Sequence, residues 1–136
     1  MSCVFCAVID GTAPAAIVQR DDVAVALLDR RPVFPGHVLV VPAVHVETLT
    51  DLPLDQIGPL FERVQRLACA VERALGADGT WVSMNNRVSQ SVPHLHIHVV
   101  PRSRKDGLRG FYWPRQHYLD DSEMAIYATR IADALS

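Results

Sequence analysis

Apolar and polar positions follow two different periods along this chain. From Leu54 to Leu75, the apolar residues Leu60, Phe61, Val64, Leu67, Ala68, Val71 and Leu75 recur at steps of three and four. Glu62, Arg63, Gln65, Arg66, Glu72 and Arg73 fill the gaps, so the spacing predicts an amphipathic helix. Gly76 is its expected stop, and Gly58-Pro59 should start or kink it. Cys69, inside this segment, reads as a core thiol. A second helix is expected from near Ser122 to Leu135, capped by Ser122 or Asp121, with Met124, Tyr127, Ala128, Ile131 and Leu135 as its stripe.

Shorter β-compatible runs occupy Val23–Leu28, Val38–Val41, Trp81–Met84 and His94–Val100. Pro42 stops the second, and the apolar stretch Val4–Ile9, ended by Asp10-Gly11, leaves room for one more strand at the N-terminus. The order is β, β, α, β, β, α. It predicts an α+β fold with an antiparallel sheet of about five strands and two helices, one long and central and one C-terminal, on one side of the sheet.

Composition narrows the class. The 136 residues are 49% hydrophobic, which suits one domain over 1–136 with a real core and excludes a disordered chain. Thirteen basic and fifteen acidic residues leave a net charge of -2, which argues against an electrostatic hold on nucleic acid or an anionic membrane. No apolar run approaches the ~20 residues of a membrane span, and Met1–Cys6 does not read as a secretory signal. A cytoplasmic protein is expected. Its three cysteines are then ligands or core thiols rather than disulfides.

Three of the six histidines fall within five residues, as His94, His96 and His98. In a strand all three would project to one face at ~6–7 Å intervals. Buried imidazoles must be hydrogen-bonded or metal-bound, because an unpartnered buried polar group costs ~1–3 kcal/mol. Two chemistries fit: a catalytic zinc with an open position, or nucleophilic catalysis by one histidine oriented by its neighbours. Cys3-Val4-Phe5-Cys6 adds a C-x-x-C pair. No strand can precede it, which disfavours a thioredoxin-like site. With His45 and one histidine of the row it would make a structural Cys2His2 zinc knuckle.

His94-Leu95-His96-Ile97-His98-Val99-Val100 resembles the signature of the histidine triad (HIT) family, in which histidine and apolar residues alternate. The block Pro35-Gly36-His37-Val38-Leu39-Val40-Val41-Pro42 with His45, the acidic Asp29 and Gln90-Ser91-Val92 extend the resemblance over roughly residues 3 to 102. It implies a HIT-like fold and a nucleotide hydrolase. His96 would be the nucleophile that attacks the α-phosphorus and forms a nucleotidyl-histidine, with histidine's ordinary pKa of ~6.5 allowing a neutral ring. His98, His37 and Ser91 would assist at the phosphate, and Asp29, Asn85 and Gln90 would join them in binding the nucleotide. Cys3, Cys6, His45 and His94 match the ligand order of the zinc-binding bacterial Hint-like branch, where the zinc is structural.

The loop Asn85–Gln90 departs from the family pattern, being short and free of glycine. The third histidine is retained where transferase relatives carry glutamine, which favours hydrolysis. The expected substrate is a purine nucleotide joined to its leaving group as a phosphoramidate or mixed anhydride. Dinucleoside polyphosphate hydrolysis is the alternative, and nucleotide binding without turnover a third class. A homodimer using the 54–75 helix is the family expectation. The segment containing Arg102, Arg104, Lys105, Arg109 and Arg115, with Phe111, Tyr112 and Trp113, reads as a polar loop or as a contact to the leaving group or a partner subunit.

Overall fold

A computed structural model describes residues 3–108 and 115–135. The chain divides into two compact units, Met1–Asp106 and Gly107–Ser136. In the first, β1 (Ile17–Arg20), β2 (Ala24–Leu28), β3 (Val38–Pro42), β4 (Gly79–Ser83) and β5 (Ile97–Arg102) form one antiparallel sheet in the order β1-β2-β3-β5-β4. The expected pairs β2–β3 and β4–β5 are both present. Pairing of β3 with β5 brings Leu39 opposite His98, which joins the two histidine-bearing segments.

The two faces of the sheet are covered differently. Helix α2 (Leu54–Leu75) presses Leu60, Val64, Leu67 and Val71 onto Ala24, Ala26, Val38, Val40, Leu95, Ile97 and Val99. Each large apolar side chain so buried contributes about 1.5–3 kcal/mol. The helix keeps its expected bounds and runs through Pro59, and Gly76 ends it in the left-handed region at φ 61°. On the opposite face, Val25, Leu27, Leu39 and Val41 pack against Phe5 and Val8.

Those last two residues belong to α1 (Val4–Ile9), and here several expectations are corrected. Val4–Ile9 is a helix rather than a strand, so the described residues hold three helices, and α1 and α2 lie on opposite faces of the sheet. The Cys3 sulfur accepts from the Cys6 N–H at 3.4 Å and caps the short helix, an arrangement the apolar run does not advertise. The fifth strand is Ile17–Arg20 instead. Strand pairing in the histidine row begins at Ile97, leaving His94 and His96 just before β5. Cys69 is exposed and not in the core.

In the second unit, α3 (Asp121–Ala134) is capped by Asp120, which accepts from the Glu123 N–H at 2.9 Å. The cap thus lies one residue before the expected Asp121. None of its residues is buried. Residues 109–114, with Arg109, Phe111, Tyr112 and Trp113 of the basic–aromatic segment, lie outside the described residues. No described helix is long and apolar enough to cross a membrane.

Candidate functional site

The alternation of the histidine row places its members on the face opposite α2. Leu95, Ile97 and Val99 point into the α2 core, fully buried, while the imidazoles face the α1 side. From there the three rings meet three different environments.

His94 is wholly buried, and both ring nitrogens have partners. Nε2 donates to the Pro42 carbonyl at 3.0 Å, which leaves a lone pair on Nδ1. Nδ1 lies 3.0 Å from His45 Nδ1, 3.4 Å from Cys3 Sγ and 3.6 Å from Cys6 Sγ. Cys6 Sγ is 3.2 Å from His45 Nδ1. All four donor atoms lie within 4.8 Å of one another. Ligands at ~2.0–2.3 Å from one ion have tetrahedral edges of about 3.3–3.8 Å, close to these separations. Two thiols and two imidazoles are a zinc donor set, and the Pro42 carbonyl fixes the tautomer a ligand needs. Burial lowers the His94 pKa, which favours the neutral ring. Desolvation pushes the Cys6 thiol up, a bias that a bound cation would reverse.

His96 is buried and turns its ring the other way. Its Nδ1 donates to the His94 carbonyl at 2.8 Å, so in the neutral ring Nε2 carries the lone pair. Phe5 stands edge-on to it with ring centroids 5.0 Å apart and restricts its rotation. His96 lines a pocket of about 250 Å³. The walls include Val4, Phe5, Val8, Leu27 and Leu39, and the polar rim includes Asp29, Arg30, Ser91 and His98.

His98 takes the opposite tautomer, and the cause can be traced to one amide. The Val33 N–H donates to His37 Nδ1 at 3.1 Å, so the neutral His37 ring carries its proton on Nε2. That Nε2–H faces His98 Nδ1 at 3.0 Å and Asp29 Oδ2 at 3.7 Å. His98 Nδ1 then accepts, and its Nε2 bears the proton. Burial, with the neighbouring His96 and His37, pushes the His98 pKa down to about 4, and burial also lowers that of His37. Both rings are therefore neutral at pH 7. Asp29, His37 and His98 are close enough to suggest a second metal site. The protonated His37 Nε2 argues against one, since a ligating nitrogen needs its lone pair. The outcome is a bare nitrogen on His96 beside an N–H donor on His98, which suits attack on phosphorus and support of its oxygens.

The remaining expected residues divide. Asp29 and Ser91 line the pocket, and His37 stands behind His98. Asn85 and Gln90 do not line it. Gln90 accepts from the Arg87 N–H at 2.8 Å and donates to the Glu47 carbonyl at 2.6 Å, and Asn85 donates to the Ser89 carbonyl at 3.3 Å. Both amides stitch the loop. Its missing glycines are compensated by backbone, for Arg87 and Ser89 take φ of 69° and 60°. Sequence reasoning missed Phe5, Val8 and Arg30 as pocket residues. The position of Phe5 inside the C-x-x-C was the available signal.

Known proteins resemble this chain in sequence and in fold. The family model described as HIT domain matches residues 10–105. The chain is 33% identical over 119 residues to an adenylylsulfatase, HINT3, of Arabidopsis thaliana, covering 86% of this chain and 60% of that protein. It is 30% identical over 116 residues to an adenosine 5'-monophosphoramidase, hnt1, of Schizosaccharomyces pombe, covering 84% of each. A zinc-bound histidine triad family protein from Mycobacterium smegmatis superposes with a TM-score of 0.76 at 36% identity, covering 98% of both chains.

Proposed function

From the membership of this chain in the HIT domain family, we propose that it is a nucleotidyl hydrolase that works through a covalent intermediate on His96. The observation that carries the reading is the 2.8 Å bond from His96 Nδ1 to the His94 carbonyl, which in the neutral ring leaves the lone pair on Nε2 of a residue that lines the pocket. The substrate is a nucleoside 5'-monophosphate joined to an amine or an acyl or sulfate group, a class to which the named activities of two relatives lend support.

His96 Nε2 attacks the α-phosphorus, forming an N–P bond as the bond to the leaving group breaks. The His98 Nε2–H and the Ser91 hydroxyl donate to the phosphoryl oxygens as charge grows on them. A carboxylate or sulfate departs as the anion and an amine departs with a proton taken from solvent, while neutral His98 keeps its Nε2–H as a hydrogen-bond donor. Water then attacks the same phosphorus, the N–P bond breaks, and the monophosphate leaves. Asp29, at the rim, accepts from the ribose hydroxyls.

Cys3, Cys6, His45 and His94 hold a structural zinc in this reading. The ion would supply no reaction step, and would stiffen the start of the strand that carries His96 and His98. The reading includes a homodimer, with the outer surface of α2, where Leu54 and Ile57 are exposed, at the interface.

Intact-protein mass spectrometry after a rapid acid-free quench tests the mechanism. Wild type and His96→Ala are mixed with adenosine and guanosine 5'-phosphoramidates. A transient adduct one nucleotidyl group heavier, present only in the wild type, is the expected result. Turnover that survives in His96→Ala and stops on chelation would replace this reading with a catalytic metal. Cleavage of diadenosine tetraphosphate but of neither phosphoramidate would keep the nucleophile and change the substrate.

A further inference from the structure

The reaction derived above leaves one charged residue on the pocket wall without a task. Arg30 lines the pocket directly after Asp29, is exposed, and has no hydrogen bond or ion pair with a described residue. Three other arginines of the same unit are tied down. Arg20 donates to the Ile9 carbonyl, Arg63 pairs with Asp21, and Arg102 pairs with Asp106. An unpaired guanidinium at the rim of an apolar slot keeps its five donors available for a ligand.

The apolar side chains of that wall cannot tell one base from another by hydrogen bonding. Val4, Phe5, Val8, Pro14, Ala15, Leu27 and Leu39 offer side-chain contact to a flat ring and nothing polar to its edge. Arg30 differs because it only donates. Guanine and hypoxanthine present two acceptors side by side, O6 and N7, which match the planar fork of an arginine. Adenine presents N7 beside the N6 amino group, itself a donor, and so opposes one arm of that fork. We infer that Arg30 is a specificity residue that makes the pocket prefer 6-oxopurine nucleotides to adenine nucleotides. This rests on the proposed function only in taking the slot as the base site, because base preference is expressed in binding whether or not turnover follows.

Isothermal titration calorimetry of GMP, IMP and AMP against the zinc-loaded protein and its Arg30→Met and Arg30→Lys variants decides the matter. GMP and IMP should bind about tenfold more tightly than AMP to the wild type, the low end of what a bidentate base contact gives. IMP keeps O6 and N7 but lacks the 2-amino group, so its alignment with GMP locates the contact on the O6/N7 edge. Arg30→Met should bring the ratio to within about twofold, and Arg30→Lys should restore part of it. A ratio between ligands is insensitive to a variant that merely loosens the fold. Equal affinities in the wild type, or a ratio unchanged in Arg30→Met, would overturn the inference and leave the hydrolase reading standing. Failure of all three monophosphates to bind would overturn both, whereas an absent His96 adduct beside intact base preference would overturn the hydrolase reading alone.

Discussion

His94 and His96 are two residues apart in one short segment, both buried, yet their chemistry is opposite. His94 spends Nε2 on the Pro42 carbonyl and turns Nδ1 toward Cys3, Cys6 and His45. His96 spends Nδ1 on the His94 carbonyl and presents Nε2 to a pocket. A backbone carbonyl selects the tautomer in each case, and which ring nitrogen it takes decides what the other can do. In the proposed function the first histidine is an anchor and the second a nucleophile. Burial does not separate them, and neither does residue type.

The largest effect expected from breaking this contrast is at His96. His96→Asn should lower kcat on a nucleoside phosphoramidate by roughly 10⁴-fold or more, since loss of a nucleophile removes the covalent route. Its thermal midpoint should stay close to the wild type. A large loss of both would mean that His96 is structural like its neighbour. The mirror experiment is Cys6→Ser, or exhaustive chelation. It should remove on the order of 3 kcal/mol of stability, because binding energy at a preformed metal site is folding energy. That corresponds to roughly 10–20 °C in the midpoint for a domain of this size. Zinc content by plasma emission and a melting curve check it together. A protein that melts unchanged without metal would refute the anchor role.

The next effect down concerns the His98 tautomer. His37→Phe removes the Nε2–H that faces His98 Nδ1. kcat at pH 7 should fall about 10- to 100-fold, with KM changed less. The pH dependence has a definite sign. Folding lowers the His98 pKa to about 4 from the ordinary value near 6.5. Between those limits the unfolded chain binds the additional proton, so stability is full above about pH 6.5 and falls as pH drops toward 4. His98→Gln should flatten that part of the acid limb in a series of urea midpoints. A parallel limb in the variant would place the loss elsewhere, at His37 or in the metal cluster.

Much of this architecture was readable in the residues, and the failures have physical causes. The α2 period is strong because a helix burying Leu60, Val64, Leu67 and Val71 on one side has no other pattern available. Cys3, Cys6 and His45 stood out as zinc-type donors, but only the family resemblance pointed to His94 as the fourth, and the structure brings the four atoms together. The short α1 was missed because six residues cannot show a period, and its cap is a cysteine that also belongs to the quartet. Ile17–Arg20 was missed because three of its four side chains are exposed at a sheet edge, where no core enforces alternation. The role of the Val33 amide has no sequence signature at all, since every residue but proline carries that donor. Asn85 and Gln90 look the same in a sequence whether an amide binds phosphate or ties a loop.

The smallest expected effect tests that loop. Arg87 and Ser89 hold left-handed backbone without glycine, at about 1–2 kcal/mol each. What holds them is a set of tethers across to the 47–49 segment. Gln90 bonds the Glu47 carbonyl and the Arg87 amide, and the Leu49 N–H donates to Asn86 Oδ1 at 2.8 Å. Ser89→Gly relieves the strain but enlarges the freedom of the unfolded chain, and these two terms nearly cancel. Its net effect should lie between zero and about 1 kcal/mol of stabilisation, read from the urea midpoint at constant slope. In Gln90→Ala the same relief should be smaller, because without its tether the loop no longer holds Ser89 in the strained conformation. Ser91 follows directly on this loop, so the glycine should also soften the pocket rim and raise KM slightly while leaving the His96 adduct intact. An additive double variant would show instead that the strain and the tethers are independent, and that the loop is shaped by its own turns rather than by its anchors.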